Sequence, residues 1–238
     1  MQLRVLYQDP YLVAVDKPAG FHVHPPEDLS IRVTLARTCL ETLKKQTNQY
    51  IYTVHRLDYA TSGVLLFALD SATAREIGLR FQAAQMKKTY YTVVRGWILE
   101  DTIIDRPLSA ESTSETAELT KLPSVTRIRP LARIELPDPV GRYTTARYTL
   151  IEATPETGRF HQIRRHLSGS SHPIIGDTVY GDGAHNRYFR EKLGFRALLL
   201  KAQTLEFQHP QSGEPLLIRS KWNGKWHQVF NLFGVCPN

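Results

Sequence analysis

The chain has 238 residues, 42% of them hydrophobic and 22% charged, the balance of a globular protein with enough apolar residues for a sizeable core. It has no run of eighteen apolar residues and no basic start leading into an apolar stretch, so neither a helical membrane span nor a secretory signal is expected. Lys and Arg number 30 against 23 Asp and Glu, a formal charge of +7, which favours a polyanionic partner such as nucleic acid.

"LRVLYQD" and "YLVAVDKPAG" read as two strands joined at Asp9-Pro10, the second ending in the turn Lys17-Pro18-Ala19-Gly20. Leu35, Cys39, Leu40 and Leu43 fall near helical spacing, which predicts an amphipathic helix over 33–46. "YTVHRL" and "GVLLFAL" read as strands around a Thr-Ser-Gly turn. Ala74, Ile77, Phe81 and Ala84 predict a helix from Ser71, its N-cap, to Met86, with Lys87 and Lys88 at its C-terminal end. "TYYTVVRGWI" is rich in β-branched and aromatic residues and predicts a strand, on which Tyr90 and Tyr91 cannot both face the core. The Ser/Thr/Glu-rich segment 108–124 reads as a surface excursion.

"ARYTLIEATPETG" is a strand and turn, "HQIRRHLSG" a short helix and "HPIIGDTVYGDG" a Gly/Pro-punctuated loop. A helix over "HNRYFREKLG" follows, then a long strand in "ALLLKAQTLEFQHP", its partner "PLLIRS" and a closing helix in "WHQVFNLFG". Adjacent strand pairs with flanking helices predict an α+β fold on a mixed, mostly antiparallel sheet. With no repeat and no second composition regime, a single domain over 1–238 is expected.

The chemistry concentrates in "HRLDYATSG", His55 to Gly63. If extended, it puts Arg56 and Asp58 on one face and His55 and Leu57 on the other. A partly desolvated carboxylate kept ionised by a guanidinium is a candidate nucleophile or base, or one half of an ion pair closing a strand end. Arg159, Arg164, Arg165, His161 and His166 cluster in "TGRFHQIRRHL". In "HQIRRH" the histidines are five apart and Gln stands where a metalloprotease has Glu, so surface or RNA-facing histidines fit better than metal ligands. His22 and His24 have no third ligand nearby in sequence. Phosphate-binding loops, dinucleotide fingerprints and nucleophile elbows do not occur, so no metal and no cofactor is expected. Cys39 and Cys236 lack metal or redox spacing and read as reduced thiols of a cytoplasmic protein.

"HRLDYATSG" resembles the H-R-L-D-x-x-T-S-G signature of the RluA family of pseudouridine synthases. "LYQDPYLVAVDKPAG", "KKTYYTVVRG", "TGRFHQIRRHL" with "HPIIGDTVYGD", and "LEFQHP" resemble its other motifs, in order along nearly the whole chain. The resemblance implies isomerisation of a uridine in RNA to pseudouridine, without cofactor, in a central cleft that receives a flipped base. It makes Asp58 the nucleophile on either the uracil ring or the ribose, Arg164 the cation paired with it, and Tyr90 the ring over the target base. Arg56 is implied to fill the space the base leaves or to hold a phosphate. Arg159 and Arg165 are assigned to phosphates, and His161 to the RNA surface. Lys201 stands where many relatives have histidine, and is assigned to RNA contact or packing.

Only 54 residues precede "HRLD", so the small S4-type RNA-binding domain of several family members is not expected. The compact branch remains, acting as a monomer on small RNA. "GRYTTARYTLIEATPETG" resembles the members that modify uridine 65 of tRNA. Another tRNA site or 23S rRNA is the alternative, and a non-catalytic RNA chaperone a remote one. A glycoside hydrolase would want a second carboxylate in an equally marked motif, and none is present.

Overall fold

The structure is a computed structural model that describes residues 2–25, 38–109 and 120–237. In chain order the elements are β1 (Arg4–Gln8), β2 (Leu12–Lys17), α1 (Cys39–Thr47), β3 (Tyr52–Thr53), β4 (Ser62–Ala68), α2 (Ser71–Gln82), β5 (Lys87–Arg95) and β6 (Thr102–Asp105). They continue with β7 (Leu108–Ser109), β8 (Lys121–Leu122), β9 (Val125–Leu136), β10 (Ala146–Pro155), α3 (Gln162–Gly169), α4 (Gly183–Lys192), β11 (Leu200–Gln208), β12 (Pro215–Arg219) and α5 (Gly224–Phe233). This is the α+β fold with a mixed, mostly antiparallel strand set. The chain forms two compact units, Met1–Lys88 with Lys201–Lys221, and Thr89–Leu200 with Trp222–Asn238.

In the first unit β2 pairs antiparallel with β1 and with β4, in the register Ala14↔Leu66. β11 runs parallel to β4 through Lys201↔Ser62 and Ala202↔Gly63, and pairs antiparallel with β12. Every residue of β4 is buried, which is why "SGVLLFA" reads as an unbroken apolar run without polar alternation. Leu12, Ala14, Val64, Leu66, Ile77, Leu205 and Phe207 form the core of this unit. The first turn is organised by Asp9, whose Oδ1 accepts the N–H groups of Tyr11 and Leu12 at 2.7 Å each. Its Oδ2 accepts the Tyr7 hydroxyl at 2.6 Å and meets His209 Nε2 at 2.7 Å.

Three sequence expectations change in this unit. The strand predicted over "YTVHRL" is only β3; residues 54–61 are irregular, so strand alternation does not place Arg56 and Asp58. The second helix is capped by Asp70, not Ser71: Asp70 Oδ1 accepts from Thr73 N–H at 2.9 Å. It stops at Gln82, Ala84 turns left-handed at φ 57°, and Lys87 and Lys88 open β5 instead of ending a helix. Of the helix predicted over 33–46, residues 33–37 lie outside the described residues, and α1 begins after an N-cap at Thr38.

In the second unit β10 lies between β5 and β9, antiparallel to both, and β6 pairs antiparallel with β9. Tyr148, Leu150, Phe189, Trp226, Val229 and Phe230 anchor its core. Tyr91 joins that core against Trp222, with ring centroids 5.0 Å apart, while its neighbour Tyr90 is only partly buried. β9 is twelve residues long although Pro130 sits inside it. The register slips there from Leu150↔Ala132 to Ile151↔Pro130, so a proline lacking an N–H is accommodated at a bulge. Of the excursion predicted over 108–124, residues 110–119 lie outside the described residues; its flanks pair as β7 and β8.

Candidate active site

Asp58 opens a turn in which its carbonyl accepts the Thr61 N–H at 3.0 Å. The turn is tied to the end of β2. Gly20 N–H donates to the Tyr59 carbonyl at 2.8 Å, and the Lys17 ammonium donates to the carbonyls of Phe21 at 2.7 Å, Pro18 at 3.0 Å and Tyr59 at 3.2 Å. Lys17 is fully buried, so its cation is solvated by backbone dipoles in place of water. Burial pushes its pKa down to about 8, against the opposing pull of Cys39 and the Asp58 carboxylate. An ammonium locked behind the turn therefore supplies Asp58 with a positive field from within its own unit.

The rest of "HRLDYATSG" is scaffold for that turn. Leu57 is buried and Arg56 exposed. His55 Nε2 accepts from the Leu66 N–H of β4 at 2.9 Å, and its ring stacks on Phe81 at 4.5 Å. Burial drives its pKa to about 3, so this imidazole is neutral and structural at physiological pH. Gly63 has φ +117°, and a Cβ there would lie 2.0 Å from the Ala202 carbonyl oxygen, so only glycine lets β4 and β11 approach. Tyr59 is 51% exposed and carries the His22 ring at 4.6 Å. Lys201 is 1% exposed and faces Asp16 Oδ1 at 3.5 Å, while Ser220 Oγ donates to the same oxygen at 2.7 Å. The Lys201 side chain is thus buried beside a partly exposed carboxylate.

In the second unit Arg164 is held bidentately by Asp177, Nε to Oδ2 at 2.7 Å and Nη2 to Oδ1 at 2.9 Å. Both residues are buried. Burial alone would raise the Asp177 pKa; the bonds from Arg164 and from the Tyr180 and Val179 N–H groups overcome this and hold it below the usual carboxylate range. The Arg164 guanidinium lies 5.2 Å from the Tyr180 ring centre, and His161 Nδ1 meets the Tyr180 hydroxyl at 3.2 Å, so Arg164, His161 and Tyr180 form one group. His161 adopts φ 51° at the start of α3 and stacks on Phe160 at 3.7 Å.

The other basic residues of this segment have protein partners. Arg165 donates to the Ser109 carbonyl at 3.0 Å and the Ser109 hydroxyl at 2.7 Å, which ties α3 to β7. Arg159 Nε donates to the Pro123 carbonyl at 3.2 Å. His166 is fully buried, bonded to Thr126 Oγ1 and to the Arg106 carbonyl at 2.9 Å each, so it is not the surface histidine expected from "HQIRRH". Arg106 also caps the C-terminal end of α3, donating to the carbonyls of Gly169, Arg165 and His166. Gln162 uses its whole amide. Its oxygen accepts from Thr157 Oγ1 at 2.7 Å and Arg159 N–H at 3.0 Å; its nitrogen donates to the Val125 carbonyl at 2.9 Å and Thr126 Oγ1 at 3.0 Å.

Lys17 in the first unit and Asp177 in the second carry no role in the sequence reading. Both stand inside the motif segments quoted above, in "AVDKPAG" and "IIGDTVYGD". A lysine ending a buried strand and an aspartate following a glycine were the available signals. Among the described residues, no three His, Cys, Asp or Glu side chains are grouped to hold a metal ion, and no helix is long and apolar enough to cross a membrane.

Residues 11–169 match the family of RNA pseudouridylate synthases. The chain is 45% identical over 238 residues to tRNA pseudouridine synthase C of Pectobacterium carotovorum subsp. carotovorum, spanning 98% of this chain and 62% of that protein's length. It is 44% identical over 237 residues to tRNA pseudouridine synthase C of Vibrio cholerae serotype O1, spanning 98% of this chain and 96% of that one. Human RNA Pseudouridylate Synthase Domain Containing 4 superposes with a TM-score of 0.72 at 24% identity, covering 99% of this chain and 95% of its own, which establishes the shared fold. The chain belongs to the RNA pseudouridylate synthase family.

Proposed function

We propose that this protein isomerises a uridine of tRNA to pseudouridine, at position 65, with Asp58 as nucleophile. The carrying observation is the Asp58 turn, pinned by a fully buried lysine in a chain 44% identical, end to end, to a tRNA pseudouridine synthase C. In the net reaction the N1–C1′ bond breaks, a C5–C1′ bond forms, the C5 proton is lost and N1 gains one. No redox step or energy source is required. Asp58 stabilises the severed state covalently, through the uracil ring or the ribose, and the base stays bound while it turns.

Arg164 takes the role of the cation that keeps Asp58 ionised and oriented; the Asp177 carboxylate supports this by fixing the guanidinium through its Nε and Nη2 edge. Tyr90 supplies the ring over the target base, and its alternation with buried Tyr91 favours it over its neighbour. Arg56 fills the space the base leaves or contacts a phosphate, Arg159 and Arg165 contact phosphates, and His161 lies against the RNA. The target nucleotide leaves its stack to reach the carboxylate.

Asp58→Asn keeps the turn and removes the nucleophile. The expected result is loss of all detectable pseudouridine formation on unmodified tRNA, with tRNA affinity retained within a fewfold. Pseudouridine mapping on the wild-type product reads the position. Modification at another tRNA site, or in 23S rRNA alone, would reject position 65, and full activity of the Asp58→Asn variant would reject the nucleophile.

A further inference from the structure

A cavity of about 510 Å³ opens in the second unit where β5 ends and β10 begins. Its wall is built from Arg95, Trp97, Tyr143, Thr145 and Arg147, and none of Asp58, Tyr90 or Arg164 lines it. Tyr90 lies five residues back along β5, about 16 Å at the rise of a strand. The target-base site proposed above does not account for this cavity.

The chemistry of the wall is specific. The Arg147 guanidinium lies 4.4 Å from the centre of the Trp97 indole, and the Arg142 guanidinium 5.1 Å from the centre of the Tyr143 ring. Two cation-on-ring pairs thus border one opening. Both are accessible: Trp97 is 37% and Tyr143 53% exposed, and 54% of the Arg147 side chain faces solvent. A guanidinium backed by an indole is a ready platform for another flat, electron-rich ring, and unstacked RNA bases stack on such planes.

Charge narrows the occupant further. Arg95 is tied to Asp182 at 2.5 Å, and Arg147 to Glu135 at 3.2 Å, a carboxylate that also accepts from Thr145 Oγ1 at 2.6 Å. Arg142 stands beside the cavity on the lining ring of Tyr143 and bonds its hydroxyl at 3.0 Å, paired with neither of these carboxylates, so among the described residues three arginines at the wall and its rim meet two carboxylates. A surplus of one positive charge suits one phosphodiester, not a tract of duplex backbone. The volume is that of a small-molecule site, enough for a single nucleotide.

We propose that this cavity is a second RNA subsite, holding one unstacked nucleotide of the substrate away from the target uridine. Its base lies on the Arg147–Trp97 platform or against Tyr143, and its phosphate on Arg142. This rests on the reading that the chain acts on tRNA, and it adds a specificity contact to that reaction.

The test uses the full chain with the exposed pair replaced, Tyr143→Ala/Arg147→Ala. On intact tRNA, KM rises about tenfold while kcat stays within twofold, as loss of one stacked base requires. In parallel, a single-stranded RNA pentamer is titrated while tryptophan fluorescence is followed. Quenching is expected in the wild type, absent in the double variant, and absent in Trp97→Phe, which retains Trp222 and Trp226. An unchanged KM, or a pentamer that does not quench Trp97, overturns the subsite. Wild-type protein that binds the pentamer at Trp97 but leaves every tRNA uridine unchanged would instead reject the proposed reaction and keep the cavity as an RNA site.

Discussion

Asp177→Ala separates the support of Arg164 from its chemistry. Asp177 is 2% exposed and accepts four bonds, two from Arg164 and one each from the Val179 and Tyr180 N–H groups. Truncation removes both carboxylate bonds from Arg164, a residue itself only 5% exposed. Removing one partner of a buried pair costs about 3–5 kcal/mol. At about 2–4 °C per kcal/mol for a chain of this size, melting should fall by roughly 6–20 °C. Arg164→Met/Asp177→Leu removes both charges and should recover most of that loss, staying within about 2 kcal/mol of wild type. It should still be inactive on tRNA. Because the Asp177 pKa is held down in the folded protein, its contribution is complete above the unfolded value of 3.8 and is lost as pH falls through the lower folded value. The melting temperature of Asp177→Ala should accordingly fall less steeply than wild type below pH 4. Thermal melts by circular dichroism read both variants against the wild type. Asp177→Ala melting within about 3 °C of wild type would refute the idea that this pair organises the segment.

His55 has a folded pKa of about 3 against 6.5 unfolded, so the unfolded chain binds the extra proton first and acidification destabilises the fold below pH 6.5. Between pH 7 and pH 5 this one imidazole accounts for about 2 kcal/mol, and urea titrations of His55→Phe should show a pH slope smaller by that amount. Gly63→Ala should destabilise by well over about 1 kcal/mol, since both φ and the Ala202 carbonyl oppose a Cβ, and should abolish pseudouridine formation by displacing the turn next to it; wild-type turnover and melting would contradict the packing argument. If Arg165 neutralises a phosphate, Arg165→Ala should lower the salt slope of tRNA binding by about one unit, with its largest deficit at low salt. An unchanged slope would assign Arg165 to Ser109 alone. Lys17→Met leaves the carbonyls of Pro18, Phe21 and Tyr59 without their shared donor and should lower kcat far more than it raises KM, with Asp58 binding geometry read by the tRNA affinity of the variant.

Much of the architecture was legible because local pattern and tertiary role agree. β4 is apolar throughout and buried throughout, and Tyr90 and Tyr91 divide between two faces as strand geometry demands. The errors arise where tertiary partners override the pattern. "VHRL" has the composition of a strand, yet His55 turns its ring inward to accept a β4 amide, which breaks the alternation before Asp58. β9 hides behind Pro130, because a proline in a strand interior argues against a strand unless a bulge absorbs it. Lys87 and Lys88 resemble a helix terminus until Ala84 reverses the chain ahead of them. Asp58 stood out through its motif, whereas Asp177 and Lys17 matter through partners that no spacing reveals: one binds an arginine thirteen positions upstream, the other a carbonyl forty-two positions downstream.

Gln162 has a consequence for what this scaffold could become. All four of its amide positions are used, and its nitrogen donates to a backbone carbonyl that can only accept. A glutamate would have the same shape and no hydrogens to give, so it would set an oxygen against an oxygen in a dry interior. The helix that superficially resembles a zinc-protease sequence is thus barred from acquiring the one carboxylate such an enzyme needs. Substitution there would unfasten the segment before it could create a hydrolase.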